Sequence, residues 1–118
     1  MTSSTTAELP RSGSATLAEM IEAVREFHRV HDLKNRGGEE MLHRMCLLME
    51  EVGEVCQCLT KGKSRQELIE EHADLLILLL GNAVSLDFDL ETAFWTKLER
   101  ILRRPAKMVD GTVRVTET

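Results

Sequence analysis

The stretch Glu50-Glu51-Val52-Gly53-Glu54, followed after sixteen residues by Glu71-His72-Ala73-Asp74 and the unbroken run Leu75-Leu76-Ile77-Leu78-Leu79-Leu80, decides the fold. Around the first acids, Met41, Met45, Leu48, Val52, Val55 and Leu59 recur at steps of three and four, the period of one stripe along an α-helix. The pattern predicts a helix from Glu39 to Thr60. Lys61-Gly62-Lys63 interrupts it, and Ser64-Arg65-Gln66-Glu67 has the Ser/Thr-x-x-Glu spacing of a capping box, so another helix is predicted over Arg65 to Leu86. So short a connection makes the two helices antiparallel neighbours, with the middle of the first opposite the first half of the second.

Working outward, Thr16-Leu17-Ala18-Glu19 is a second capping box and opens a helix predicted from Leu17 to His31. The charged residues, Asn and paired glycines of Asp32 to Gly38 close it. Asp89 is placed to cap a last helix that buries Leu90, Phe94, Leu98, Ile101 and Leu102 and stops before Pro105. Beyond it, Asp110-Gly111 between short β-branched runs is a two-residue hairpin signal, placing a hairpin over 106–116. The expected fold class is all-α: a four-helix bundle with a short C-terminal β-hairpin, occupying 16–118. Residues 1–15, rich in Ser and Thr and without the apolar stretch of a signal peptide, read as a disordered leader outside the fold. Six consecutive apolar residues leave the third helix no solvent face there, which points to a helical homodimer or a dimer of dimers. Phe27 and Trp95 offer flat aromatic faces on which a planar ligand could stack, but large apolar residues at helical spacing are more often core.

Acidic residues outnumber basic ones by 20 to 15, a net charge of −5 that disfavours nucleic acid as a partner, since such binding works by cations displacing counterions. The longest apolar run is far short of the roughly 20 residues that span a bilayer, so no membrane partner is expected. Cys46, Cys56 and Cys58 are odd in number and lie within apolar helical pattern, which indicates reduced thiols and a cytoplasmic setting. Cys56 and Cys58, two apart on a helix, do not face one another and make no zinc clip.

Residues three and four apart share a helix face, so Glu51 projects with Glu54 and Glu71 with Asp74; Glu50 stands one position round and also faces Glu54. Glu51 lies beside Leu48 and Val55 at the border of the apolar stripe, and Glu71 shares a face with Leu75, Leu78 and Asn82. Both acids therefore aim inward. Carboxylates converging in a small core repel one another and lose hydration unless cations lie between them. All-oxygen donors suit Mg²⁺, with Mn²⁺ as the alternative, and none of these acids has the His three residues on that di-iron carboxylate bundles use. Against this stands the ordinary role of charge runs as solvated helix faces, the reading adopted for Glu40, Glu67 and Glu70.

The Glu-Glu-x-x-Glu of Glu50 to Glu54, the gap, Glu71-x-x-Asp74 and the leucines after it resemble the all-α nucleoside triphosphate pyrophosphohydrolases. This is the MazG-like superfamily, which also includes dimeric dUTPases and phosphoribosyl-ATP pyrophosphatase; the resemblance runs from Leu17 to Pro105. It implies that Glu51, Glu54, Glu71 and Asp74 hold Mg²⁺, that Glu50 orients or deprotonates the attacking water, and that a nucleoside triphosphate is cut to a monophosphate and pyrophosphate. Lys97, Arg100 and Arg104 are the expected phosphate contacts, with Lys61, Lys63 and Arg65 as competitors. Many relatives carry an Asn four residues after the lysine, where this chain has Ile101. Asn82, on the Glu71 face, is a candidate ligand contact. His28 and His31 are candidates for the border of a base pocket, although histidines near a helix end are commonly surface residues. The implied function is house-cleaning of the nucleotide pool; the alternatives are phosphoribosyl-ATP hydrolysis and a non-catalytic helical dimerisation or regulatory module.

Overall fold

The computed structural model of the chain describes residues 13–116, so most of the expected leader lies outside the described residues. Its elements are α1 (Leu17–Val30), α2 (Met41–Thr60), α3 (Arg65–Leu86), α4 (Leu90–Leu102), β1 (Ala106–Val109) and β2 (Thr112–Val115). The all-α class with a terminal hairpin is as expected.

Each helix starts where a side chain satisfies its exposed amides. Thr16 accepts from Glu19 N and the Glu19 carboxylate from Thr16 N, the full reciprocal box. Ser64 likewise accepts from Glu67 N, but there the Glu67 carboxylate accepts from the Ser64 hydroxyl instead of the Ser64 amide, so the box is half made. Glu40, counted among the solvated acids, caps α2 by accepting from Leu42 N and His43 N, which moves the start of that helix past Glu39. Asp89 caps α4 through Thr92 N.

The chain forms two compact units divided after Phe88. In the first, α3 packs along both α1 and α2. Among the described residues the buried apolar set is Val24, Cys58, Leu80, Ala83 and Val84, joined by two polar side chains, His28 and Arg44. The face that α2 buries differs from the expected apolar stripe. Arg44 and Cys58 are buried, with Leu48, Glu51 and Val55 half-buried on the line between them. Met45, Met49, Val52 and Leu59 are exposed, Leu59 at 68%. The reason is Arg44, which draws its line of α2 against α3 by bonding to acceptors there and leaves the more apolar flank outside. On α3, Leu76, Ile77 and Leu79 are likewise exposed.

The second unit holds α4 and the hairpin. The strands pair antiparallel with Ala106 opposite Val115 and Val109 opposite Thr112. Asp110 and Gly111 both have positive φ, 49° and 79°, as a two-residue turn matched to strand twist requires. The expected burial of α4 is corrected: no residue of it is buried, Phe94, Trp95 and Leu102 are exposed, and Leu90, Leu98 and Ile101 are half-buried. A single helix and a two-stranded ribbon supply too little surface to cover an apolar face. Phe27, also expected in the core, is 47% exposed. No helix among the described residues is long and apolar enough to cross a membrane.

Candidate functional site

α2 and α3 bring Glu51, Glu71 and Asp74 together, with one ligand oxygen from each lying within 4.8 Å of the others. Seven residues separate Glu51 from both buried neighbours on its line, Arg44 and Cys58, so the helix period itself aims Glu51 at α3. One oxygen of Glu51, Oε2, is buried and accepts no hydrogen bond. Burial pushes the Glu51 carboxyl above the ordinary range, helped by hydrogen bonding with Glu71 and by the charges of Asp74, Glu71 and Glu54. Glu71 is half-buried and Asp74 exposed, so the cluster runs from interior to surface.

An orphaned buried oxygen within a knot of like charge fits a divalent cation. Three carboxylates offer hard oxygen donors and no sulfur or imidazole, the donor set of Mg²⁺ or Mn²⁺. Glu54 is half-buried and close enough to raise the Glu51 carboxyl, but its oxygen is not among the three that converge. Glu50 is exposed one position round the helix.

The other expected residues fall into two groups. His28 and Asn82 belong to an internal polar cluster. His28 is 4% exposed and its Nδ1 lies 2.8 Å from Glu39 Oε2, while Asn82 Oδ1 accepts from Arg44 Nε at 2.8 Å. The ordinary surface role weighed for His28 is thus corrected to a buried side chain in hydrogen-bond contact with Glu39. His31 is exposed, edge-on to Phe27 with ring centroids 5.0 Å apart, and these two line an open cavity with Arg36, Glu40 and His43. Lys97 and Arg100 line a shallow groove on the second unit with Asp89, Thr92 and Thr96. Arg104 lies past the end of α4, with its amide bonded to Ile101 O, so the single helical face expected for the three cations stops at Arg100.

Sequence reasoning missed Arg44, Glu39 and Gly81. Arg44 is 3% exposed and donates from Nε to Asn82, from Nη1 to Gly38 O at 3.1 Å and from Nη2 to Leu78 O at 3.0 Å. Burial draws its guanidinium below the usual value and the Glu39 charge opposes that. At Gly81 a Cβ would collide with Arg44 Nη2 and stand 2.9 Å from His28 Nε2, so the glycine makes room for the guanidinium. The available signal was spacing: Arg44 lies two turns before Glu51, on the same line.

Acids gathered from two antiparallel helices around a buried oxygen with no hydrogen-bond partner mark a helical scaffold suited to holding a divalent cation. The model of the MazG nucleotide pyrophosphohydrolase domain matches residues 38–109, which span α2, α3, α4 and β1. The chain belongs to that family. No curated protein and no solved structure matches it.

Proposed function

We propose that this chain is a Mg²⁺-dependent pyrophosphohydrolase, with Mn²⁺ as an alternative ion, that converts a (deoxy)nucleoside triphosphate and water to the monophosphate and pyrophosphate in nucleotide-pool house-cleaning. The observation that carries the proposal is the convergence of Glu51, Glu71 and Asp74 on one point, with Glu51 Oε2 buried and unpaired. Glu54, one turn from Glu51, is the fourth proposed ligand. A bound divalent ion supplies neutralisation of phosphate charge and a more acidic water. Glu50, exposed and next to Glu51 on α2, is the proposed acceptor of a proton from the attacking water. Lys97, Arg100 and Arg104 are the proposed phosphate contacts, and Asn82 and His28 act on the ligand side only through the cluster that holds them. Phe27 and His31, exposed at the cavity edge, are the proposed stacking surface for the base.

The exposed apolar flanks of α2 and α3 support assembly with a second copy, as a dimer or a dimer of dimers. The 16–118 span is taken as one functional domain. Two exposed thiols, Cys46 and Cys56, favour a reducing, cytoplasmic setting.

The test is a panel of canonical and damaged nucleoside triphosphates, with phosphoribosyl-ATP included, incubated with Mg²⁺ and assayed separately for pyrophosphate and orthophosphate. Pyrophosphate with stoichiometric monophosphate is expected. Orthophosphate alone would overturn the cleavage position, and no product across the panel would leave the regulatory-module alternative.

A further inference from the structure

The buried guanidinium of Arg44 joins three segments at once. It sits on α2, bonds the α1–α2 connection through Gly38 O, and bonds α3 through Leu78 O and Asn82 Oδ1. The Glu39–His28 pair stands beside it and ties in α1. Three donors in a rigid planar fork fix direction as well as distance, which a single ammonium does not.

Its place along the helices carries the consequence. From Arg44 to Glu51 is seven residues of α2, and from Leu78 back to Glu71 is seven residues of α3. The two helices run antiparallel across a short connection, so both offsets lead the same way along the pair, each about 10.5 Å at 1.5 Å per residue. A slide of one helix by a single residue would shift Glu51 by about 1.5 Å relative to Glu71 and Asp74. Leu48 and Val55, half-buried on this seam, add apolar contact without directional bonds.

We propose that Arg44, seated in the gap left by Gly81, is a positioning residue that sets the register of α2 against α3 and so brings Glu51, Glu71 and Asp74 to one point. This rests on the reading of those acids as a divalent-cation site. Arg44 makes no hydrogen bond to those acids; it acts through the helix offset, much as outer hydrogen bonds orient metal ligands elsewhere.

The test compares the full-length protein with Arg44→Lys, Gly81→Ala and the double variant Arg44→Met/Gly81→Ala, in which the added methyl group no longer meets a guanidinium. Val24→Ala, a buried α1 position, serves as a control for general loss of stability. Melting temperature is measured without metal, and Mn²⁺ affinity is measured by electron paramagnetic resonance of the free ion at a temperature where every variant is folded. The expected result is Mn²⁺ affinity weakened about tenfold or more in the Arg44 and Gly81 variants. Val24→Ala should melt earlier yet bind Mn²⁺ as the parent does. Parent-like affinity in the folded Arg44 and Gly81 variants would overturn the proposal alone, as would a loss in Val24→Ala proportional to its melting temperature. A parent protein that binds no Mn²⁺ would overturn the cation site as well, which separates the two failures.

Discussion

Glu51→Gln should stabilise the metal-free protein while removing its response to divalent metal. The Glu51, Glu71 and Asp74 oxygens lie within 4.8 Å of one another. Two unit charges at that distance repel by about 0.9 kcal/mol in bulk water and about 3.5 kcal/mol at an effective dielectric of 20. Asp74 is exposed and screened, so the lower part of that range applies, and the neutral amide should gain on the order of 1–2 kcal/mol. For a unit of this size that corresponds to a melting temperature higher by roughly 4–16 °C. The amide also brings donors to a spot crowded with acceptors.

The pH dependence has a defined sign. Burial and the neighbouring carboxylates raise the folded-state pKa of Glu51 above 4.5, so between that value and the raised one the folded protein holds more protons than the unfolded chain. The metal-free parent therefore loses stability as pH rises through that window, and Glu51→Gln does not. Their difference should grow as pH rises through that window and vanish below the ordinary glutamate value. Saturating Mg²⁺ or Mn²⁺ should reverse the order, because an ion that binds only the folded state adds stability to the parent alone. The assay is scanning calorimetry across pH, with and without metal. A Glu51→Gln protein that melts earlier than the parent without metal, and still gains as much from Mg²⁺, would refute the convergence of charge.

Two further outcomes are expected. Asp74→Asn should abolish metal binding and turnover together, whereas Glu50→Gln should keep metal affinity and lose about 10²–10⁴-fold in kcat, as removal of a general base does; equal metal loss in both, measured by Mn²⁺ titration, would remove the separate role of Glu50. Met49→Glu, which places a charge on the exposed apolar flank of α2, should convert an assembled form to a single-chain species in light scattering, and an unchanged mass would show that this flank is not where copies meet.

The element boundaries were legible because they rest on local chemistry. Thr16, Ser64 and Asp89 cap the helices they were expected to cap, and Asp110-Gly111 makes its turn. The acid cluster was legible in part: i, i+3 spacing and a short connection place Glu51, Glu71 and Asp74 together, while Glu54, on the same spacing, stays outside the converging three. What spacing could not show is which flank of α2 turns inward. Hydropathy favours the side of Met45, Val52 and Leu59, but a buried guanidinium needs carbonyl and amide acceptors, and those lie on α3. His28 was misjudged for a related reason, since its partner Glu39 is eleven residues away in a connection whose path no periodicity describes.

The inner seam of α2 thus carries Arg44 and Glu51, a cation and an acid two turns apart, in a unit whose buried apolar set is small. Neither charge is neutralised by the other: Arg44 is bonded to carbonyl and amide oxygens, and Glu51 faces further acids. A seam built this way forgoes hydrophobic burial that leucines at the same positions would provide. The deficit has two outlets, the exposed apolar flanks of α2 and α3 and the unpaired oxygen of Glu51. Covering the flanks and filling the acid cluster both stabilise only the folded chain, so metal affinity and assembly draw on one free-energy difference through linkage. If the flanks lie where copies meet, the metal that offsets the repulsion among Glu51, Glu71 and Asp74 also holds α2 against α3 and presents those flanks in fixed geometry, so assembly should tighten as metal binds.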